Sequence, residues 1–211
     1  MQLHALREQA SPRIGRSGGV EGNARLTGSA AALLLVLLAA EGATLLSVGR
    51  LLRPHVFIGF ALIPLVTLKA GSTIYRFARY YSGSRPYRRK GPPPALLRLL
   101  GPVLILATVS LLASGVGLMF THGVWLGRLL TLHKASFIVW FAATTLHVVG
   151  HLLDTAKLAP RDWMSAPSGP ATPTASVAGA AVRRWTIALG VAAGAILGAW
   201  SLGHLGVWIT R

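Results

Sequence analysis

Five apolar runs, each about as long as a bilayer is thick, constrain this chain more than any other feature of its sequence. They are Leu26–Val48, His55–Tyr80, Pro94–Phe120, Leu129–Leu153 and Trp185–Ile209. A hydrocarbon core of roughly 30 Å needs about 20 helical residues to cross it, and each run is long enough. Interruptions by Gly, Ser and Thr are ordinary in helices whose backbone groups satisfy one another. No period-two alternation suggests a β-barrel. The expected fold is all-α: an integral membrane helical bundle of about five transmembrane helices, the first four forming a core. Composition agrees, with 53% hydrophobic residues and only five acidic ones in 211, and a mean hydropathy of +0.57.

A formal net charge of +16 raises the question of nucleic acid, but the charges must first be assigned to the two sides that five crossings define. One side receives Arg7, Arg13, Arg16 and Arg25, the loop from Arg76 to Arg98 and the linker from Lys157 to Arg184, together 15 Lys or Arg. The other has five: Arg50, Arg53, Arg128, Lys134 and Arg211. The positive-inside rule then puts the N-terminus in the cytoplasm and the C-terminus outside. Anionic headgroups account for the basic rim, so no nucleic-acid partner is expected.

Outside the runs, residues 1–25 form a flexible basic arm, and 159–183 a linker rich in Pro, Ser, Thr and Ala. Residues 26–158 form the four-helix core and 184–211 the fifth helix. The first apolar run starts late and is too long for the h-region of a secretory signal, so no cleavage is expected. Without Cys, there is neither thiolate ligation of iron nor covalent haem attachment. No phosphate-cradling glycine loop follows a strand, so the chain is not expected to be a self-sufficient oxidoreductase.

An ionisable residue at bilayer depth costs at least about 2.5–3.5 kcal/mol on insertion scales and points to function. The second run carries His55 and Lys69, the fourth His133, His147 and His151, and the first Glu41. His133 and His147 are fourteen residues apart, which is about 21 Å along a helix and nearly the same face. Lys69 follows His55 by the same interval. Helices two and four run in the same direction, so His55 pairs in depth with His133 towards the outside, and Lys69 with His147 nearer the inside. Two stacked ligand sites are implied.

Imidazoles from two facing helices supply the trans axial ligands that haem iron takes. The segments RPHVFIGFALIPLVTLKAGSTIYRFARYY in helix two and LTLHKASFIVWFAATTLHVVGHL in helix four resemble the cytochrome b561-like group of bacterial membrane cytochromes, over roughly residues 27 to 158. That resemblance implies a four-helix core binding one or two haem b groups and passing electrons between a quinone or cytoplasmic donor and an outer-face redox partner. It implies His55 and His133 as iron ligands of an outer haem and His147 as a ligand of an inner one. Lys69 departs from the all-histidine pattern: an inner haem needs Lys–His ligation, needs His151 in place of His147, or is absent.

Other readings stand beside this one. A histidine near a helix end also serves by bonding a carbonyl or headgroup at the interface, which suits His122, His151 and His204. Lys69 has alternatives in a salt bridge to Glu41, a haem propionate, a quinone or a proton relay. A haem-free anchor or small transporter subunit with an intramembrane Lys/His/Glu path is the rival class. In helix five, Gly190, Gly194 and Gly198 form a stripe that admits another helix closely. Its partner is the core, a second copy or another subunit, and the sequence leaves the three open.

Overall fold

The computed structural model of the chain describes residues 19–89, 95–163 and 179–205. Among them the structure is helical, without strands: α1 (Gly19–Thr44), a 3₁₀ turn (Leu45–Ser47), α2 (Val48–Tyr81), the short α3 (Arg85–Arg89), α4 (Ala95–Phe120), α5 (Val124–Trp163) and α6 (Ala180–Leu202). Four continuous helical stretches among the described residues are long and apolar enough to cross a membrane, the first being Gly19–Tyr81. Val36, Leu106, Ile138 and Ile196 each expose about two thirds of their surface (68%, 69%, 68% and 68%). Large apolar side chains turned outward along every long helix define a surface for lipid, and the chain is an all-α membrane protein with several spans.

The stretch Gly19–Tyr81 folds back on itself. Ser47 leaves helical geometry (φ −155°, ψ 63°), and Leu51 does so again (φ −107°, ψ 21°). Pro54 accounts for the second break: it has no N–H for the Arg50 carbonyl, and its ring crowds that oxygen. Beyond the turn, α2 runs antiparallel to α1. Asn23 Nδ2 donates to the Ser72 carbonyl oxygen (3.2 Å) and Thr27 Oγ1 lies 2.8 Å from Ser72 Oγ. Between these polar contacts and the turn, Leu34, Leu62 and Leu65 form an apolar cluster with Leu37 and Ile58 against it.

The α4 and α5 helices form a second antiparallel hairpin around Gly123, whose φ of 64° suits glycine. Helix α1 packs on both α2 and α5, and α4 on α5 and more lightly on α2. The four therefore form a square in which α2 and α5 are diagonal, each projecting side chains across the bundle centre.

The glycine stripe of α6 packs on the core, on the outer face of α2. A Cβ at Gly190 would lie 3.3 Å from Leu65 Cδ2, and one at Gly198 would lie 2.8 Å from the Phe57 carbonyl oxygen. Several of the helices extend beyond the apolar runs. Helix α1 begins at Gly19 instead of Leu26, and α5 continues through Trp163, into the stretch read as linker. Polar residues at helix ends continue the backbone ladder although they do not belong in lipid, so hydropathy locates the crossing and not the helix terminus.

Candidate functional site

Position 55 of α2 and position 133 of α5 are brought together across the bundle diagonal. The His55 and His133 rings have centroids 6.4 Å apart and planes at 87°. Both side chains are partly buried, and each ring is held from behind through Nδ1.

His55 Nδ1 lies 2.8 Å from Glu41 Oε1 and 3.1 Å from Thr44 Oγ1. The Thr44 hydroxyl donates its one proton to the Glu41 carbonyl (2.6 Å), so towards His55 it can only accept. Nδ1 therefore carries a proton, which in the neutral ring leaves the lone pair on Nε2. The same logic holds for His133, whose Nδ1 lies 3.1 Å from the Leu111 carbonyl oxygen and 3.1 Å from Ser114 Oγ. A carbonyl only accepts, and the Ser114 proton is committed to the Ser110 carbonyl (2.6 Å). Both histidines thus have the tautomer that leaves Nε2 as a ligand nitrogen, with the other ring N–H fixed by a partner as in metal-binding histidines.

The helices supply this geometry locally. Glu41 and Thr44, three residues apart at the end of α1, share a face, and the tight turn returns His55 opposite them. Gly59, one turn beyond His55, faces the carboxylate, since a Cβ there would lie 3.7 Å from Glu41 Oε1. On the other side Gly115 makes room for the second ring: a Cβ there would lie 3.1 Å from His133 Cε1.

A bare metal ion is not what this arrangement suits. Among the described residues no group of three or more His, Cys, Asp or Glu could hold one. Two imidazoles presented from opposite sides fit an iron whose remaining positions are filled by a macrocycle. Metal–imidazole bonds of about 2 Å, plus the ring radius at each end, separate the centroids of a trans pair by roughly 6 Å. The observed separation, the shared tautomer and the glycine beside His133 are compatible with such a group.

Lys69 and His147 are both partly buried on α2 and α5, deeper than the histidine pair by fourteen residues each. Lys69 makes no ion pair among the described residues, and the alternative of a Lys69–Glu41 salt bridge fails because Glu41 is bonded to His55, fourteen residues from Lys69. The side chain of His151 lies outside the described residues. His122 is exposed, and so is His204, whose Nδ1 donates to the Trp200 carbonyl oxygen (3.1 Å).

Sequence reasoning noted Glu41 but did not assign it to His55, and it did not single out Thr44, Leu111, Ser114 or Gly115. The Glu41–Thr44 spacing just ahead of a short turn was an available signal. The Leu111 and Gly115 contacts depend on how α4 meets α5, which no local pattern encodes. The chain matches no family model, no curated protein and no solved structure.

Proposed function

We propose that the chain is a membrane b-type cytochrome of the cytochrome b561-like kind, an electron-transfer component that works with other redox proteins and not a self-sufficient enzyme. The observation that supports it is the His55–His133 pair, centroids 6.4 Å apart across the bundle diagonal, with both Nδ1 atoms bonded outward. His55 and His133 would hold one haem b through Nε2. Bound there, haem b supplies a one-electron carrier at low dielectric. The protein residues hold the rings through Nδ1 with Glu41, Thr44, Leu111 and Ser114.

In this reading the pair lies towards the outer face of a bacterial plasma membrane, with the N-terminus cytoplasmic, and electrons pass between a quinone or cytoplasmic donor and an outer-face partner. His147, with Lys69 or His151 opposite, is the candidate ligand set for a second, inner haem b. The rival, a haem-free anchor or transporter subunit with an intramembrane polar path, draws on one specific observation: Lys69 is partly buried in a span without an ion-pair partner among the described residues.

The test is a dithionite-reduced minus oxidised visible spectrum of the detergent-purified protein, with haem-to-protein ratio, for wild type and for His55→Ala and His133→Ala. Sharp b-type bands in wild type, lost in either variant, are expected. A well-folded, haem-free wild type after expression with ample haem would leave the rival reading in front.

A further inference from the structure

The two histidines are held by chemically different partners. His133 donates Nδ1–H to neutral acceptors, the Leu111 carbonyl and the Ser114 hydroxyl. His55 donates to a carboxylate, Glu41 Oε1, at 2.8 Å. That carboxylate is itself withdrawn from water, its side chain 16% exposed beside 21% for His55. Its second oxygen, Oε2, is buried without a hydrogen-bond partner among the described residues. If an acceptor for Nδ1–H were all that was needed, a neutral side chain would serve, as on the His133 side. A carboxylate in a transmembrane helix is costly, so its negative charge needs an account of its own.

We infer that Glu41 is a positioning residue for His55 that also sets the reduction potential of the group the histidine pair holds. This inference rests on the haem reading. A charged acceptor on Nδ1–H draws that proton away from the ring, which makes Nε2 the more basic and more electron-donating ligand. Oxidised iron carries one more positive charge than reduced iron. A buried negative charge one imidazole away therefore favours the oxidised form and lowers the potential. Thr44 supports the arrangement twice, since its hydroxyl donates to the Glu41 carbonyl and accepts from the same His55 proton. The predicted iron site is thus asymmetric, with a strong donor from α2 and an ordinary one from α5.

The test is potentiometric titration of purified full-length wild type, Glu41→Gln and Glu41→Ala, with haem-to-protein ratio measured alongside. Glu41→Gln keeps an acceptor oxygen and removes the charge. It should retain haem while the ratio of reduced to oxidised protein at a fixed ambient potential rises about tenfold, or about 59 mV for one electron. Glu41→Ala removes the acceptor as well and should lower haem retention roughly 10–100-fold. Glu41→Asp, which keeps the charge on a side chain one methylene shorter, should also raise the potential, by less, and carries the test if Glu41→Gln does not fold. Haem-loaded variants that titrate at the wild-type potential would overturn the role of Glu41 and leave the haem reading standing. A haem-free wild type would overturn both.

Discussion

Gly194 of α6 lies so close to Ala61 of α2 that a Cβ atom at position 194 would stand 2.5 Å from the Ala61 carbonyl oxygen. Backbone cannot retreat as a side-chain tip can, so the helices must separate to admit even a methyl group. Gly194→Val should therefore loosen α6 from the core at a cost of about 1–3 kcal/mol or more, read as a lower detergent melting temperature. Because the histidine pair belongs to α2 and α5, the haem-to-protein ratio of the folded fraction should not change. A melting temperature equal to wild type would mean that α6 is not seated on α2.

Gly115 and Gly117 on α4 make a matched comparison. A Cβ at Gly117 would meet Leu129 Cδ2 at 2.8 Å, the mobile end of a side chain, whereas one at Gly115 would meet His133 Cε1 at 3.1 Å, on a ring pinned through Nδ1. The closer approach should be the milder substitution. Gly117→Ala should behave as wild type in haem content, while Gly115→Ala should displace the His133 ring by a few tenths of an ångström and weaken haem retention. Equal haem content in the two variants would count against His133 as a ligand.

The legible part of the fold was the part carried by local hydropathy. The five apolar runs correspond to α1, α2, α4, α5 and α6. The depth match of His55 and His133 was readable from residue count, and the rings do meet. What one helix does to the next was not legible. Glu41 was weighed as a partner for Lys69 because both are lone charges in lipid, yet the antiparallel turn brings Glu41 to His55 and leaves Lys69 about 21 Å further along α2. The glycine stripe showed that some helix packs there, but only the assembled bundle identifies it as α2.

Thr27 and Ser72 join α1 to α2 through their hydroxyls at 2.8 Å, near the end of the hairpin opposite the histidines. Interhelical hydrogen bonds in membranes contribute little, because the separated helices find other partners. Thr27→Val should therefore cost only about 0.6 kcal/mol, against roughly 2–5 kcal/mol for Leu65→Ala, whose side chain is fully buried in the same interface. Reversible unfolding in mixed micelles would rank the two, and a larger loss for Thr27→Val would mean that polar contacts dominate this hairpin.

Tyr87, in the short helix α3 beyond the membrane end of α2, is 7% exposed and packs edge-on against Tyr75 with ring centroids 6.0 Å apart. Burial raises its phenol above the usual range, charge repulsion from Tyr75 and the hydrogen bond that the Tyr87 hydroxyl donates to Tyr75 act the same way, and Arg79 and Arg76 oppose them. With the folded value above the unfolded one, the unfolded chain loses its proton first as pH rises. The contribution of Tyr87 to stability is thus complete below about pH 10 and declines above it. A phenolate absorbance titration of wild type minus Tyr87→Phe should show the missing component ionising above pH 10. A component at or below that value would mean that α3 does not bury this ring.

Lys69 decides whether the proposed cytochrome has a second haem site. A cation in a span without an ion-pair partner among the described residues bears an insertion cost of about 2.5–3.5 kcal/mol, which methionine of similar length would not. If Lys69 binds nothing, Lys69→Met should stabilise the protein by up to that amount and leave the haem-to-protein ratio unchanged. If Lys69 and His147 hold a second haem, wild type should contain two haems per chain, and both Lys69→Met and His147→Ala should lose one while keeping the bands that depend on His55. The first arrangement therefore moves the melting curve and not the spectrum, and the second removes a haem from the spectrum. A variant that is stabilised and fully haem-loaded would leave the His55–His133 pair as the one haem site of the proposed cytochrome.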